Sequence, residues 1–143
     1  MKILSLFRQY RKNKKILKFH KSFIKPGDLV FDIGANIGKR SEIYLKLGAK
    51  AIAVEPQSFC MPFLHRLQKK YKNLIIVQKA VGNENAEKEL IISNESEVST
   101  FLEEFIQQYS YHKFLKWDEK EIVEVITLND LIAEFGIPKY CKI

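Results

Sequence analysis

The stretch from Leu29 to Pro56 restricts the fold of this chain more than any other. Leu29 to Ile33 is a short apolar run rich in strand-forming residues, and it predicts a buried strand. Gly34, Asn36 and Gly38 interrupt it at once. Apolar residues then recur at Ile37, Ile43, Tyr44 and Leu47 with helical spacing, and Gly48 stands where a helix would stop. Ala51 to Val54 predicts a second buried strand, which ends on an acid, Glu55, followed by Pro56.

Strand, glycine turn, helix, strand, acid is an order that suits a nucleoside-bearing ligand. Glycines let the backbone turn tightly and approach a ligand with no Cβ in the way. The helix that follows points its free N–H groups at the turn. An acid at the tip of the second strand can accept hydrogen bonds from ribose hydroxyls, and it lies at about the 20-residue separation expected of one. The spacing argues against a dinucleotide. G-x-G-x-x-G counted from Gly34 would need glycine at positions 36 and 39, where the chain has Asn36 and Lys39. Close approach of a pyrophosphate is blocked at the first, and Lys39 would crowd the helix–strand contact at the second. A nicotinamide-binding Rossmann domain is the alternative that these two residues disfavour.

The pattern Asp32-x-Gly34-x-Asn36-x-Gly38 resembles the acidic, glycine-rich turn of class I S-adenosylmethionine-dependent methyltransferases. An acid before the turn would repel a pyrophosphate but suits a sulfonium ligand bearing an ammonium group. The string Phe31 to Gly38, followed by Val54-Glu55-Pro56, looks like the FkbM family of that class. Ala80 to Asn83, Ser99-Thr100 and Thr127 to Leu131 are also similar to it. The resemblance implies an α/β, Rossmann-like class I methyltransferase fold, a parallel sheet with flanking helices. It implies S-adenosyl-L-methionine as cofactor and methyl transfer to an oxygen of a small-molecule or carbohydrate-like acceptor. It also implies the contacts: Asp32, Gly34, Asn36 and Gly38 beside the methionine moiety, Glu55 and Pro56 at the ribose, Ala80 and Val81 at the adenine. Many relatives of the broader class have an acid after the third strand. This chain has Gln78 and Lys79 there, so contact through backbone and the Ala80 side chain is expected. No residue stands out as a general base.

At 143 residues the chain has the length of one domain. No apolar run approaches the roughly 20 residues of a membrane span, and a cytoplasmic setting is expected. Cys60 and Cys141 are too few and too far apart for a disulfide framework, and nothing spaces them as metal ligands. The net charge of +7 is uneven: residues 1–25 hold nine Lys or Arg and no acid, whereas the rest holds 15 basic and 17 acidic residues. The chain therefore divides into a basic arm, 1–25, and a body, 26–143. Met1 to Ile24 predicts an amphipathic helix with Ile3, Phe7, Tyr10, Leu17 and Ile24 on one face. It either docks on the sheet or meets an acidic surface, anionic lipid or nucleic acid. A basic-armed binding module without chemistry is thus a further alternative. His20 and His65 are expected at the surface.

Along the body, Gln57 to Tyr71 predicts a helix with Phe59, Phe63, Leu64 and Leu67 on one face, and Leu74 to Val77 a third strand. Crossovers then make the sheet parallel. Glu87 to Ile92 and Glu121 to Ile126 are expected to pair antiparallel around an aromatic-rich insertion with a helix from Phe101 to about Tyr109. Its aromatics are expected in the core, with Ser99-Thr100 as a possible cap and His112 as a candidate for substrate contact. Thr127 to Phe135 predicts a helix capped by Thr127, with Asp130 placed as a capping-box acid. Residues 139–143 begin what looks like a fourth parallel strand. In the family that strand runs on toward the methyl-transfer centre, so the fold is expected to be incomplete at its C-terminus.

Overall fold

A computed structural model of the chain describes residues 14–109 and 111–143. Four strands form a wholly parallel sheet in the order β3-β2-β1-β7: β1 Leu29–Ile33, β2 Lys50–Val54, β3 Leu74–Val77 and β7 Tyr140–Lys142. In register, Asp32 lies beside Ala53 on one neighbour and Lys142 on the other. Both faces of β1 and β2 are covered, which is why both strands are apolar almost throughout.

Strand alternation divides the core in two. Phe31, Ile33, Ile52 and Val54 face one way and pack with Ile126 and Leu131. Ala51 and Ala53 face the other way, toward Leu45, Met61 and Leu64. Those belong to α2 (Lys39–Lys46) and α3 (Met61–Lys70). Helix α2 ends at Lys46, with Leu47 as its C-cap and Gly48 next, as expected. Helix α3 starts later than its sequence predicts. Gln57 is extended (φ −70°, ψ 123°), and a single 3-10 turn, Ser58–Cys60, precedes the helix. On α3 the buried residues are Met61 and Leu64. Phe59 and Phe63, expected on the core face, are exposed and pack at a tilt on each other at 5.6 Å.

A second sheet has the order β4-β6-β5, from Ala80–Gly82, Glu119–Thr127 and Ala86–Ile92. Strands β5 and β6 are antiparallel, as expected, and β4 adds to β6 in parallel. The insertion between β5 and β6 carries α4 (Glu103–Tyr109) and is closed on itself. Asn94 hydrogen-bonds Lys116 and Phe114, and Trp117 Nε1 donates to the Val98 carbonyl at 3.2 Å. None of its aromatics is buried, contrary to expectation. Several rings pack on one another at a tilt instead: Phe105 on Tyr109 at 4.5 Å, Tyr111 on His112 at 4.0 Å and His112 near Phe114 at 5.3 Å. Ser99 does not cap α4, because its hydroxyl is used elsewhere, whereas Thr100 Oγ1 accepts the Leu102 N–H at 3.1 Å.

Helix α5 (Leu128–Phe135) begins as its capping signal predicts. Thr127 Oγ1 accepts the Asp130 N–H at 3.1 Å and donates to Asp130 Oδ2 at 2.6 Å. Much of the expected basic helix lies outside the described residues; its described part, α1 over 14–21, is helical. His20, expected at the surface, is buried. Its ring sits among Phe19, Phe23, Tyr44 and Tyr140 at 5.2–5.5 Å, and Nδ1 is 2.8 Å from the Ile16 carbonyl oxygen. His65 is exposed. Among the described residues no helix is long and apolar enough to cross a membrane.

Leu131 is the fully buried link between α5 and the parallel sheet. Leu131→Ala is expected to lower stability by about 2–5 kcal/mol. Urea unfolding checks this, and a change well under 1 kcal/mol would show that α5 is not part of the cooperative core.

Candidate functional site

The turn after β1 takes its shape from three left-handed residues spaced two apart: Gly34 (φ 66°), Asn36 (φ 51°) and Gly38 (φ 82°). Residues with a Cβ avoid this region, and Asn is among the few that enter it. The turn is tied to β2 by Gly34 and Ala35, whose N–H groups both donate to the Val54 carbonyl at 2.9 and 3.1 Å. Gly38 is the N-terminal flank of α2, and a Cβ there would press into Leu64 and Leu67 at 2.9 Å.

Glu55, at the tip of β2, closes the other side of the turn. It is 3% exposed. Its Oε2 accepts the Asn36 N–H at 2.8 Å, and its Oε1 accepts the Gln57 N–H at 3.0 Å and Gln57 Nε2–H at 3.2 Å. A carboxylate has about four lone-pair positions, so one on Oε2 is left. The network continues into the insertion. Asn36 Nδ2 donates to Ser96 Oγ at 2.7 Å, Gln57 Nε2 to the Ser96 carbonyl at 2.9 Å, and Ser99 Oγ to Gln57 Oε1 at 2.9 Å.

These groups wall a cavity of about 890 Å³. Gly34, Asn36, Glu55, Pro56, Ala80 and Val81 all line it, so six of the eight residues singled out from sequence meet around one space. Gly38 and Asp32 do not line it. Asp32 alternates with Phe31 and Ile33, so its side chain turns under α2 rather than into the cavity. It is fully buried; Oδ2 accepts the Ser41 hydroxyl at 2.6 Å, and Oδ1 has no hydrogen-bond partner. Burial pushes the Asp32 carboxyl above its ordinary value, against the opposing pull of Ser41 and Lys142. Gln78 is held by Ser58 Oγ at 3.1 Å, and His112 is not on the cavity wall. The Cys60 thiol is pushed up to about 12, chiefly by burial and then by Glu55, so it stays protonated.

Sequence alone misses Ser41, Gln57, Ser96 and Lys142. Lys142 Nζ donates to the carbonyls of Ile33 at 2.9 Å and Gly34 at 3.0 Å, and stands 3.7 Å from Asp32 Oδ1. The register of β7 against β1 brings it there, across more than a hundred residues of chain.

A family model described as the methyltransferase FkbM domain matches residues 32–143. The chain belongs to the FkbM methyltransferase family. Its sheet order and its turn–acid pair match the Rossmann-like fold that the sequence resemblance implies. Two solved structures are similar in part. A candidate rRNA-methylase from Clostridium thermocellum is 14% identical over 47% of this chain and 39% of its own, with a TM-score of 0.41. The precorrin-6y C5,15-methyltransferase of Geobacter metallireducens GS-15 is 20% identical over 45% of this chain and 37% of its own, with a TM-score of 0.38. The FkbM chain thus spans less than two-fifths of the length of either. No curated protein matches it.

A carboxyl whose folded value is raised adds stability below its unfolded value and loses it as pH climbs through the folded one. The stability of the native chain relative to Asp32→Asn is therefore expected to fall as pH rises from about 4, the ordinary aspartate value. Urea midpoints across pH read this directly, and a flat difference would mean that the carboxylate is not strained.

Proposed function

We propose that this FkbM chain binds S-adenosylmethionine in the 890 Å³ cavity and directs its methyl group to an oxygen of a small-molecule or carbohydrate-like acceptor. The observation that carries the cofactor part is the pairing of Glu55 with the Asn36 amide: an acid on one strand tip is fastened to the bend after the neighbouring strand. The acceptor class rests on family membership.

The residues present fit the cofactor. Glu55 keeps one lone-pair position for a ribose hydroxyl. This is a single acceptor position, not the four or so that a free carboxylate would offer. Pro56 borders the same side, and Ala80 and Val81 offer apolar side chains to the adenine. The carbonyls of Ile33 and Gly34 on the cavity wall offer acceptors to an ammonium group, and the buried Asp32 lies behind them, off the wall. S-Adenosylmethionine, when bound, supplies an electrophilic methyl group on a sulfonium centre. What the chain contributes is orientation: the stitched contacts of Asn36, Gln57, Ser96 and Ser99 hold the insertion against the bend and help to exclude water. No proton transfer is assigned to a residue of this chain.

Calorimetry with S-adenosylmethionine, S-adenosylhomocysteine and NAD tests the reading. The two adenosyl ligands are expected to bind and NAD is not. Glu55→Gln is expected to weaken S-adenosylmethionine by roughly 1.5–3 kcal/mol, the scale of a hydrogen bond to a charged group. Unchanged affinity in that variant would contradict the ribose role.

A further inference from the structure

The cluster of Asp32, the Ile33 and Gly34 carbonyls and Lys142 is only partly explained by cofactor binding. Its first three members are acceptors. Two main-chain oxygens and a fully buried carboxylate oxygen without a hydrogen-bond partner converge on one spot. Such a set selects a group with several N–H donors and a positive charge. The Lys142 ammonium fills it, close enough that a Cβ built on Gly34 would lie 3.9 Å from Nζ.

The same ammonium has somewhere else to go. Its side chain is 30% exposed, and it borders two spaces at once. One is the cofactor cavity. The other, about 520 Å³, is walled by the rings of Phe19, His20, Tyr44 and Tyr140, with Lys15 and Arg40 also on its wall. Lysine is a point charge on a flexible four-carbon stem, so it can change sides by rotamer changes alone.

Given S-adenosylmethionine in the larger cavity, as proposed above, the amino-acid end of the ligand brings a second ammonium to the same acceptors. Two like charges cannot share them without strong repulsion. We infer that Lys142 is a displaceable stand-in for the ammonium of the ligand, occupying its acceptors in the ligand-free protein and withdrawing toward the aromatic cavity when the ligand binds. Lys142 is then a positioning residue. It keeps the bend and the buried Asp32 in their binding geometry while the site is empty. It also makes the protein sensitive to the amino-acid end of the ligand, not only to the nucleoside.

The test compares two ligands on the full chain. S-Adenosylhomocysteine carries the ammonium; 5′-methylthioadenosine keeps the nucleoside but lacks the amino-acid end. In Lys142→Met, S-adenosylhomocysteine is expected to bind about tenfold tighter, the factor for a competent form that is roughly one-tenth populated in the native chain. The affinity of 5′-methylthioadenosine is expected to stay the same. Weaker S-adenosylhomocysteine binding in the variant would mean that Lys142 pairs with the ligand's carboxylate, and would overturn the inference. Equal changes for both ligands, or no change for either, would overturn it too. Should Lys142→Met fail to fold, nitrogen-resolved NMR of the lysine ammonium groups in the native chain decides. A slowly exchanging Lys142 signal is expected in the free protein, lost with S-adenosylhomocysteine and kept with 5′-methylthioadenosine. A signal that S-adenosylhomocysteine leaves in place would overturn the displacement. If neither ligand binds the native chain, the cofactor reading falls and takes this inference with it; if both bind and only the Lys142 responses fail, the cofactor reading stands alone.

Discussion

Glu55 accepts the Asn36 amide proton through one carboxylate oxygen and two Gln57 protons through the other. A carboxylate buried to this depth is tolerated only where donors replace its lost water, and here three N–H groups do so. The same three bonds fix local geometry on both sides. They hold the bend after β1 against the tip of β2, and they keep Gln57 extended, so that α3 starts at Met61 rather than at Gln57. Through Gln57 and Asn36 the constraint reaches Ser96 and Ser99, so the insertion is positioned by the same acid. Removing Glu55 would release three elements at once, which makes the cavity one cooperative unit and not a gap between independent parts.

Two acids lie near the carboxyl ends of neighbouring strands, and their environments give them opposite characters. Glu55 sits past the last paired residue of β2, where its side chain can swing into the opening and meet backbone donors. Asp32 sits inside β1, where alternation commits it to the face under α2. There it has one hydroxyl, one distant ammonium and an oxygen with no hydrogen-bond partner. Replacing both partners of a buried ion pair with apolar residues of similar volume is often neutral or stabilising, so such a pair is weak evidence for stability. The presence of Asp32 is therefore poorly explained by stability and better explained by the cation it faces.

The central strands were legible because strands covered on both faces appear as short, unbroken apolar runs, and the parallel order followed from the helices between them. The bend and its acid were legible because glycine and a carboxylate at fixed spacing have few other uses. What sequence concealed has a common cause in partners that are remote along the chain. His20 is covered by its neighbours Phe19 and Phe23 and also by Tyr44 and Tyr140, which are remote along the chain. Strand β4 is three residues long and exists by pairing with β6, more than forty residues away. The aromatics of the insertion satisfy one another locally, so their content predicted a core that they do not join. Gln57, Ser96 and Lys142 carry no periodic signal at all. Each matters through a hydrogen bond that only the assembled sheet defines.

Asn36 shows how far one residue can narrow the choice of ligand. The bend needs a left-handed backbone at every second position from 34 to 38, and glycine would satisfy all three with less strain. Glycine at 36 would also leave the middle of the bend bare, the condition for close approach of a pyrophosphate. Asparagine tolerates the conformation and adds a side chain whose Oδ1 accepts the Ile37 N–H at 2.7 Å and whose Nδ2 holds Ser96. Two polar groups in the bend that could have received a phosphate are thus already spent on the protein itself: the Ile37 N–H on the Asn36 side chain, and the Asn36 N–H on Glu55. The carbonyls of Ile33 and Gly34 at this end accept hydrogen bonds from an ammonium, at present that of Lys142. The bonds that give the bend its shape thus use up two of the N–H groups that a pyrophosphate would need.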